Sequence, residues 1–135
     1  MSKCIFCSIV SGQIPAFVVY EDDLYLAILD RYPSARGHVL ILPKRHAADL
    51  YELNEEEAAG LVPLAKKIAE KIRVKLGAPG LNLLQNNGKA AGQVIDHFHL
   101  HLIPRDEDDE IVIKGEQQDP TPKELELMAG LLRIQ

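Results

Sequence analysis

The sequence predicts an α+β fold built on an antiparallel sheet. Three observations carry this expectation. Short strand-like runs dominate the chain, one long stretch of helical period sits in its middle, and no strand–helix–strand alternation is present. At 135 residues the chain fits one domain, expected to span residues 1–135 with its core in 3–105.

The elements follow in order. "FVVYEDDLYLAILD" reads as two strands, Phe17–Tyr20 and Leu24–Asp30, joined by an acidic turn at Glu21–Asp23. "RYPSARG" is a loop punctuated by Pro33 and Gly37, and "HVLILP" is the next strand. The period then changes. Leu61, Ala65, Ile68, Ile72 and Leu76 recur at steps of three and four, which gives a helix one apolar face. Asn54 and Glu57 have the form of a capping box. Lys71, Arg73 and Lys75 complement the helix dipole, and Gly77 can end the helix. Pro63 removes one backbone bond inside it and predicts a kink. "LNLLQNN" and "FHLHLIP" read as further strands, "RDEDDE" as a solvated loop and "EIVI" as a short edge strand. Thr121, Pro122 and Glu124 open a late helix over "TPKELELMAGLL". The strand and helix together fill 106–135.

Composition narrows the function. Hydrophobic residues make up 47% and charged residues 26%, the balance of an ordinary soluble domain. The net charge is −5 and no long basic run is present, so broad electrostatic binding to nucleic acid is not expected. No apolar stretch approaches the ~20 residues that cross a membrane. "MSKCIFCSIV" has no apolar core or cleavage site of a signal peptide. A cytoplasmic location is expected, where Cys4 and Cys7 stay reduced rather than forming a structural disulfide.

"DHFHLHLIP" places three of the five histidines at alternate positions, interleaved with Phe98, Leu100 and Leu102. On a strand His97, His99 and His101 share one face, each ~6.5–7 Å from the next. A solvated face does not ask for histidine three times, and imidazole is the side chain suited to nucleophilic, acid–base and ligand roles near neutral pH. The cluster therefore reads as a site. One ion cannot take all three rings from neighbouring strand positions. Cys4 and Cys7 have the C-x2-C spacing that lets two sulfurs reach one zinc ion; a redox pair or two buried thiols are the alternatives. His46 and one member of the triplet are candidates for the remaining ligands. "QNNGKAAGQ", Gln85–Gln93, carries two glycines and several amides just before the histidines. It can cradle a phosphate, although such a loop is also an ordinary turn; it is not a Walker motif. Asp30, at a strand end, can accept hydrogen bonds from a ribose or simply terminate the strand.

"HFHLHLIP" resembles the His-x-His-x-His-x-x signature of the histidine triad family of nucleotide hydrolases and transferases. "CIFCSIVSGQIPAFVVYEDD", "GHVLILPKRH" and "NNGKAAGQ" are similar to that family's other blocks, in the same order, over residues 3–105. The likeness is greatest to its bacterial, Hint-like branch. The resemblance implies a five-stranded antiparallel sheet with helices, its sheets joined in a two-fold homodimer. It implies that His99 attacks the α-phosphorus of a purine nucleotide and forms a covalent nucleotidyl-histidine, which water then hydrolyses. His101 contacts the phosphate and His38 completes the catalytic set. Asp30 matches the ribose acceptor, Asn86, Gly92 and Gln93 match the phosphate and ribose side, and Phe6 and Ile9 fall where the family lines its purine pocket. Zinc-bearing bacterial members imply one structural zinc on Cys4, Cys7, His46 and His97, and no organic cofactor.

Two positions depart from the family pattern. Val94 stands where relatives usually carry Ser or Thr, whose hydroxyl helps bond the phosphate or leaving group. Arg31 follows Asp30 where Hint-like members usually have Ile, and it can reach a second phosphate. The leading expectation is a purine nucleoside phosphoramidase or nucleotidyl hydrolase. A dinucleoside polyphosphate hydrolase is the alternative, separated from it by leaving group. A nucleotide-binding or interaction module with little turnover, and a zinc-dependent hydrolase using the histidines as a catalytic metal site, belong to other classes.

Overall fold

The central strands bury both of their faces, which is why they read as almost continuous apolar runs. The computed structural model describes residues 4–134; residues 1–3 and 135, inside the expected domain, lie outside the described residues. Helix α1 (Ile5–Val10) leads into strands β1 (Val18–Glu21), β2 (Tyr25–Leu29) and β3 (Val39–Pro43). Helix α2 (Glu55–Leu76) follows, then β4 (Gly80–Leu84), β5 (Leu100–Arg105) and helix α3 (Pro122–Leu132). The strands form one five-stranded antiparallel sheet in the order β1-β2-β3-β5-β4.

Alternation assigns the two faces. Tyr25, Ala27, Val39, Ile41, Leu100 and Leu102 pack against Leu64, Ala65, Ile68 and Ile72 of α2. Leu26, Ile28, Leu40 and Leu42 point to the opposite face, where Phe6 of α1 covers them. Phe98 belongs to the α2 side, so the in–out alternation extends upstream of β5 itself.

The expected caps form. Asn54 and Glu57 make a reciprocal capping box, and Gly77 closes α2 in the left-handed region at φ 66°. The helix continues through Pro63. The turn between β1 and β2 is held by Asp22, whose Oδ1 accepts from the backbone N–H of Leu24 and Tyr25, both at 2.8 Å. Thr121 and Glu124 form the second capping box, at α3.

Two expectations need correction. Residues 5–10, to which the sequence pattern gives no element, form a helix capped by Cys4. The edge strand expected over "EIVI", Glu110–Ile113, does not form. Arg105 explains this. Its guanidinium grips Asp109 at 2.7 Å through both Nε and Nη2, and Nη2 also donates to the Ile111 carbonyl at 2.8 Å. Asp109 Oδ1 in turn accepts from the Ile111 N–H. The N–H and C=O that Ile111 would offer to a ladder are spent on this knot. Val112 and Ile113 are left exposed.

Candidate active site

His97, His99 and His101 line the face of the sheet opposite α2, as alternation requires. β5 begins only at Leu100, so the first two histidines precede the ladder. They are held there by Phe98, which is buried under α2, its N–H donating to the Ala47 carbonyl at 2.7 Å. Phe6 packs edge-on against both rings, with centroids 5.8 Å from His97 and 5.0 Å from His99. His99 and His101 stand 5.0 Å apart, centroid to centroid.

The hydrogen-bond partners assign each ring proton. His99 Nδ1–H donates to the His97 carbonyl at 2.8 Å. Its Nε2 therefore carries the lone pair, and the half-buried ring can present it as a nucleophile. His38 is different. Its Nδ1 accepts from the Ser34 N–H at 3.0 Å, so its proton sits on Nε2. That proton is donated to His101 Nδ1 at 2.9 Å, with Asp30 Oδ2 a second, longer acceptor at 3.5 Å. His101 must then carry its own proton on Nε2 and offer it outward. A single backbone amide thus sets two side-chain tautomers in series. Burial pushes His38 and His101 below the ordinary histidine range, His101 to about 4, although Asp30 opposes the shift in both. Both rings are neutral near pH 7, as the proton assignment requires.

The sheet places this set. Asp30 N–H donates to the His38 carbonyl just past the β2–β3 ladder, and His101 pairs with Leu40 across β3–β5. Asp30, His38 and His101 come from three adjacent strands onto one face.

Cys4, Cys7, His46 and His97 form a second cluster beside the first, with all four donor atoms within 4.8 Å of one another. Cys4 caps α1, its Sγ accepting from the Cys7 N–H, and one helical turn brings the two sulfurs together. His97 Nδ1 is 3.3 Å from Cys4 Sγ and 3.5 Å from Cys7 Sγ, while His46 Nδ1 is 3.2 Å from Cys7 Sγ. Donors around a tetrahedral zinc stand roughly 3.3–3.8 Å apart. His97 Nε2–H donates to the Pro43 carbonyl at 2.8 Å, which leaves the Nδ1 lone pair facing the sulfurs. The donor set fits a zinc ion.

Asp30, His38 and His101 also satisfy a distance criterion for a cation. Proton assignment separates the two clusters. The outer nitrogen of His97 meets a carbonyl, so the inner one is a ligand. The outer nitrogen of His38 meets an N–H, so the inner one is a donor. The first cluster can hold a metal and the second is a hydrogen-bond relay.

The remaining expected residues divide. Gly92, at φ 89°, lies beside the Asn86 side chain in the loop before the histidines. Gln93 is buried and turned inward: its Oε1 accepts from Gly88 N–H at 2.7 Å, and its Nε2 donates to the carbonyls of Ala48 and Ile95. It shapes the loop. Ile9 packs beside Phe6 on the site-facing core. Val94 is 90% exposed. Three contributors were missed from sequence. Ser34 acts through its backbone. Arg45 and Glu57 form a bidentate pair at 2.8 and 3.0 Å, and Arg45 Nη1 also donates to the His46 carbonyl. Glu57 is almost fully buried, and Arg45 holds its carboxyl below the usual range. The acidic Glu57 of a capping box facing a basic "PKRH" run was the available signal.

Comparison with known proteins gives a consistent picture. The sequence matches the HIT domain family over residues 11–108. It is 47% identical to the adenosine 5′-monophosphoramidase of Schizosaccharomyces pombe over 103 residues, 76% of this chain and 74% of that protein. A crystal structure from Streptococcus mutans superposes with a TM-score of 0.92 at 39% identity, covering 98% of this chain and 84% of that one. A zinc-bound histidine triad family protein from Mycobacterium smegmatis superposes at 0.77 with 42% identity, covering 90% and 86%.

Proposed function

The chain belongs to the HIT domain family, and on that premise we propose that it is a nucleotide hydrolase or nucleotidyl transferase acting at the α-phosphate of purine nucleoside phosphoramidates or related nucleotides. The observation that carries the reading is the proton assignment around His99 and His101. His99 Nε2 holds a lone pair because Nδ1–H is engaged by the His97 carbonyl. Attack by Nε2 forms an N–P bond while the bond from phosphorus to the leaving group breaks. The ring becomes cationic, and the His97 carbonyl stabilises the proton that stays on Nδ1. His101 Nε2–H is directed outward, where it can donate to the phosphate oxygens or to the departing group. Water then displaces the histidine and releases the nucleoside monophosphate. Asp30 accepts from the ribose, Phe6 and Ile9 border the base, and Asn86 and Gly92 approach the phosphate. The S. pombe phosphoramidase supports the leaving-group class.

Cys4, Cys7, His46 and His97 would hold one structural zinc in this reading. The chemistry it would supply is cross-linking: it ties α1 to the segment carrying His97, whose carbonyl orients the nucleophile. The zinc-bound M. smegmatis relative supports this assignment. In this reading the protein is a single-domain homodimer that takes a purine nucleotide as its partner. Among the described residues no helix is long and apolar enough to cross a membrane.

One observation favours a second substrate. Arg31 follows Asp30, and its guanidinium stands 5.2 Å from the centre of the exposed Tyr32 ring. A cation with an aromatic face beside the ribose site suits a dinucleoside polyphosphate, in which a nucleotide leaves instead of an amine. The test is AMP release from adenosine 5′-phosphoramidate and from diadenosine triphosphate, by wild type and His99→Ala. Turnover of either substrate that vanishes in the variant supports the reading, and their ratio assigns the leaving group. No turnover of either would leave a binding module.

A further inference from the structure

Side chains place the loop that precedes the histidines. The backbone hydrogen bonds of residues 88–93 close on the loop itself: Ala91 N–H and Gln93 N–H donate to the Gly88 carbonyl, and Gly92 N–H donates to that of Lys89. Two amide side chains fasten the loop to the body. Gln93 Nε2 donates to the Ala48 carbonyl at 2.6 Å, and Asn87 Oδ1 accepts from the Leu50 N–H at 2.7 Å. That N–H is available because Leu50 opens a short 3-10 turn, Leu50–Glu52, whose first N–H groups have no partner within the turn. The segment offering these groups is itself fixed. Ala47 is fully buried, and its carbonyl accepts from the Phe98 N–H at 2.7 Å. Asn87 also sets the direction of its neighbour. Its Nδ2 donates to Gln85 Oε1 at 2.6 Å, and its Oδ1 accepts from Gln85 Nε2 at 2.9 Å. Gln85 Nε2 donates in addition to the Asn86 carbonyl at 2.9 Å. A backbone N–H at one end and a backbone carbonyl at the other fix the orientation of both amides. Their meeting claims one side of the chain. Asn86, between them, is left the other side, where its Nδ2 lies beside Gly92.

We infer that Asn87 is a positioning residue for the substrate phosphate and acts through Asn86. The inference rests on the nucleotide reading above, in which Asn86 and Gly92 approach the phosphate. Asn87 itself is occupied on both amide atoms by Leu50 and Gln85, so its part is to hold and not to touch. In Asn87→Ala the Leu50 N–H turns to water and the Gln85 amide loses its reciprocal partner. Asn86 is then no longer confined to the side that faces Gly92, and the loop keeps only the Gln93 fastening. The phosphate is bound in the ground state and in the transition state alike. The loss therefore falls on binding, and the chemical step at His99 is spared.

Binding of AMP and of adenosine is measured by titration calorimetry on the full chain. The proteins are wild type, Asn87→Ala, Asn86→Ala and the double variant, with kcat and KM for adenosine 5′-phosphoramidate determined alongside. Asn87→Ala is expected to bind AMP about tenfold more weakly, the size of one or two hydrogen bonds, and to raise KM to match, with kcat within about threefold of wild type. Adenosine, which has no phosphate, should bind Asn87→Ala as it binds wild type. In the Asn86→Ala background the second substitution should change AMP binding by less than about twofold, because the residue it acts through is gone. Gln85→Leu removes the other half of the clamp and should give the same pattern; it carries the comparison if Asn87→Ala does not fold, which thermal melts decide. A folded variant that binds AMP as wild type does overturns the inference and leaves the nucleotide reading standing. Equal weakening of AMP and adenosine, a loss confined to kcat, or additive losses in the double variant also overturn it. Wild type that binds neither AMP nor adenosine overturns the nucleotide reading and the inference together.

Discussion

Removing the His38 side chain tests the tautomer relay without touching the nucleophile. In the native protein the Ser34 amide fixes the proton of His38 on Nε2, and that proton fixes the acceptor state of His101 Nδ1. Burial keeps His101 neutral, with a pKa of about 4, so at pH 7 it has a single proton to place. With His38 present that proton is on Nε2 and available to the substrate. In His38→Ala the ring is free to rotate and the proton is free to sit on either nitrogen. Loss of one preorganised donor in a transition state costs about 10²–10³ in kcat, or roughly 3–4 kcal/mol. Because His101 itself remains and populates the useful arrangement part of the time, the expected loss is about 10²-fold. His38→Gln retains an amide N–H that can donate to His101, and should recover about tenfold over alanine. The assay is steady-state AMP release from adenosine 5′-phosphoramidate, with kcat and KM separated. Thermal melts confirm that each variant is folded, since His38 is 3% exposed and its removal leaves a cavity. A folded His38→Ala within twofold of wild type would refute the relay. So would a loss as complete as that of His99→Ala, because His38 would then be doing more than placing a proton.

Three further outcomes are expected. Purified protein should carry about one zinc per chain; Cys4→Ser should lose it and melt at lower temperature, and a metal-free wild type with unchanged melting would contradict the site. Glu57→Gln should lower unfolding free energy by about 2–3 kcal/mol in urea. It breaks a buried pair with Arg45, though the half-exposed Arg45 reduces the full cost, and a change below 0.5 kcal/mol would show the pair to be dispensable. Stability should also fall as pH drops from 6.5 towards 4. The folded pKa of His101 is about 4, below its unfolded value of 6.5, so the unfolded chain takes up the proton first. The contribution is complete above 6.5 and is lost as pH falls through that window, by at most about 3 kcal/mol. His101→Gln should flatten this part of the profile in a pH series of urea midpoints, and an unchanged slope would remove His101 as its source.

Much of this architecture was legible in the residues, for identifiable physical reasons. Asn54, Glu57 and Gly77 act locally, so the start and end of α2 could be read from a few neighbouring positions. The two faces of the histidine run followed from the period of two, even though β5 begins only at Leu100. Failures came where a distant or unusual partner decides. Helix α1 has a cysteine for its N-cap and spans six residues, and it exists because Phe6 packs under the histidine rings. Glu110–Ile113 has strand-like composition, but Arg105 takes its carbonyl. The three backbone bonds that hold Gln93 in its loop were equally out of reach of its residue type. The assignment of His38 as a donor depends on the Ser34 amide, and no side-chain identity announces a backbone bond.

The proposed function turns on a covalent bond between His99 Nε2 and phosphorus. The most direct measurement is rapid acid-free quenching of the enzyme during turnover of adenosine 5′-phosphoramidate, followed by intact-mass and peptide mass spectrometry. The expected result is an adenylyl adduct on the peptide containing His99, formed within the first turnover, decaying as substrate is exhausted and absent from His99→Ala. AMP release with no adduct on any histidine at single-turnover times, or an adduct on His97 or His101 instead, would contradict it.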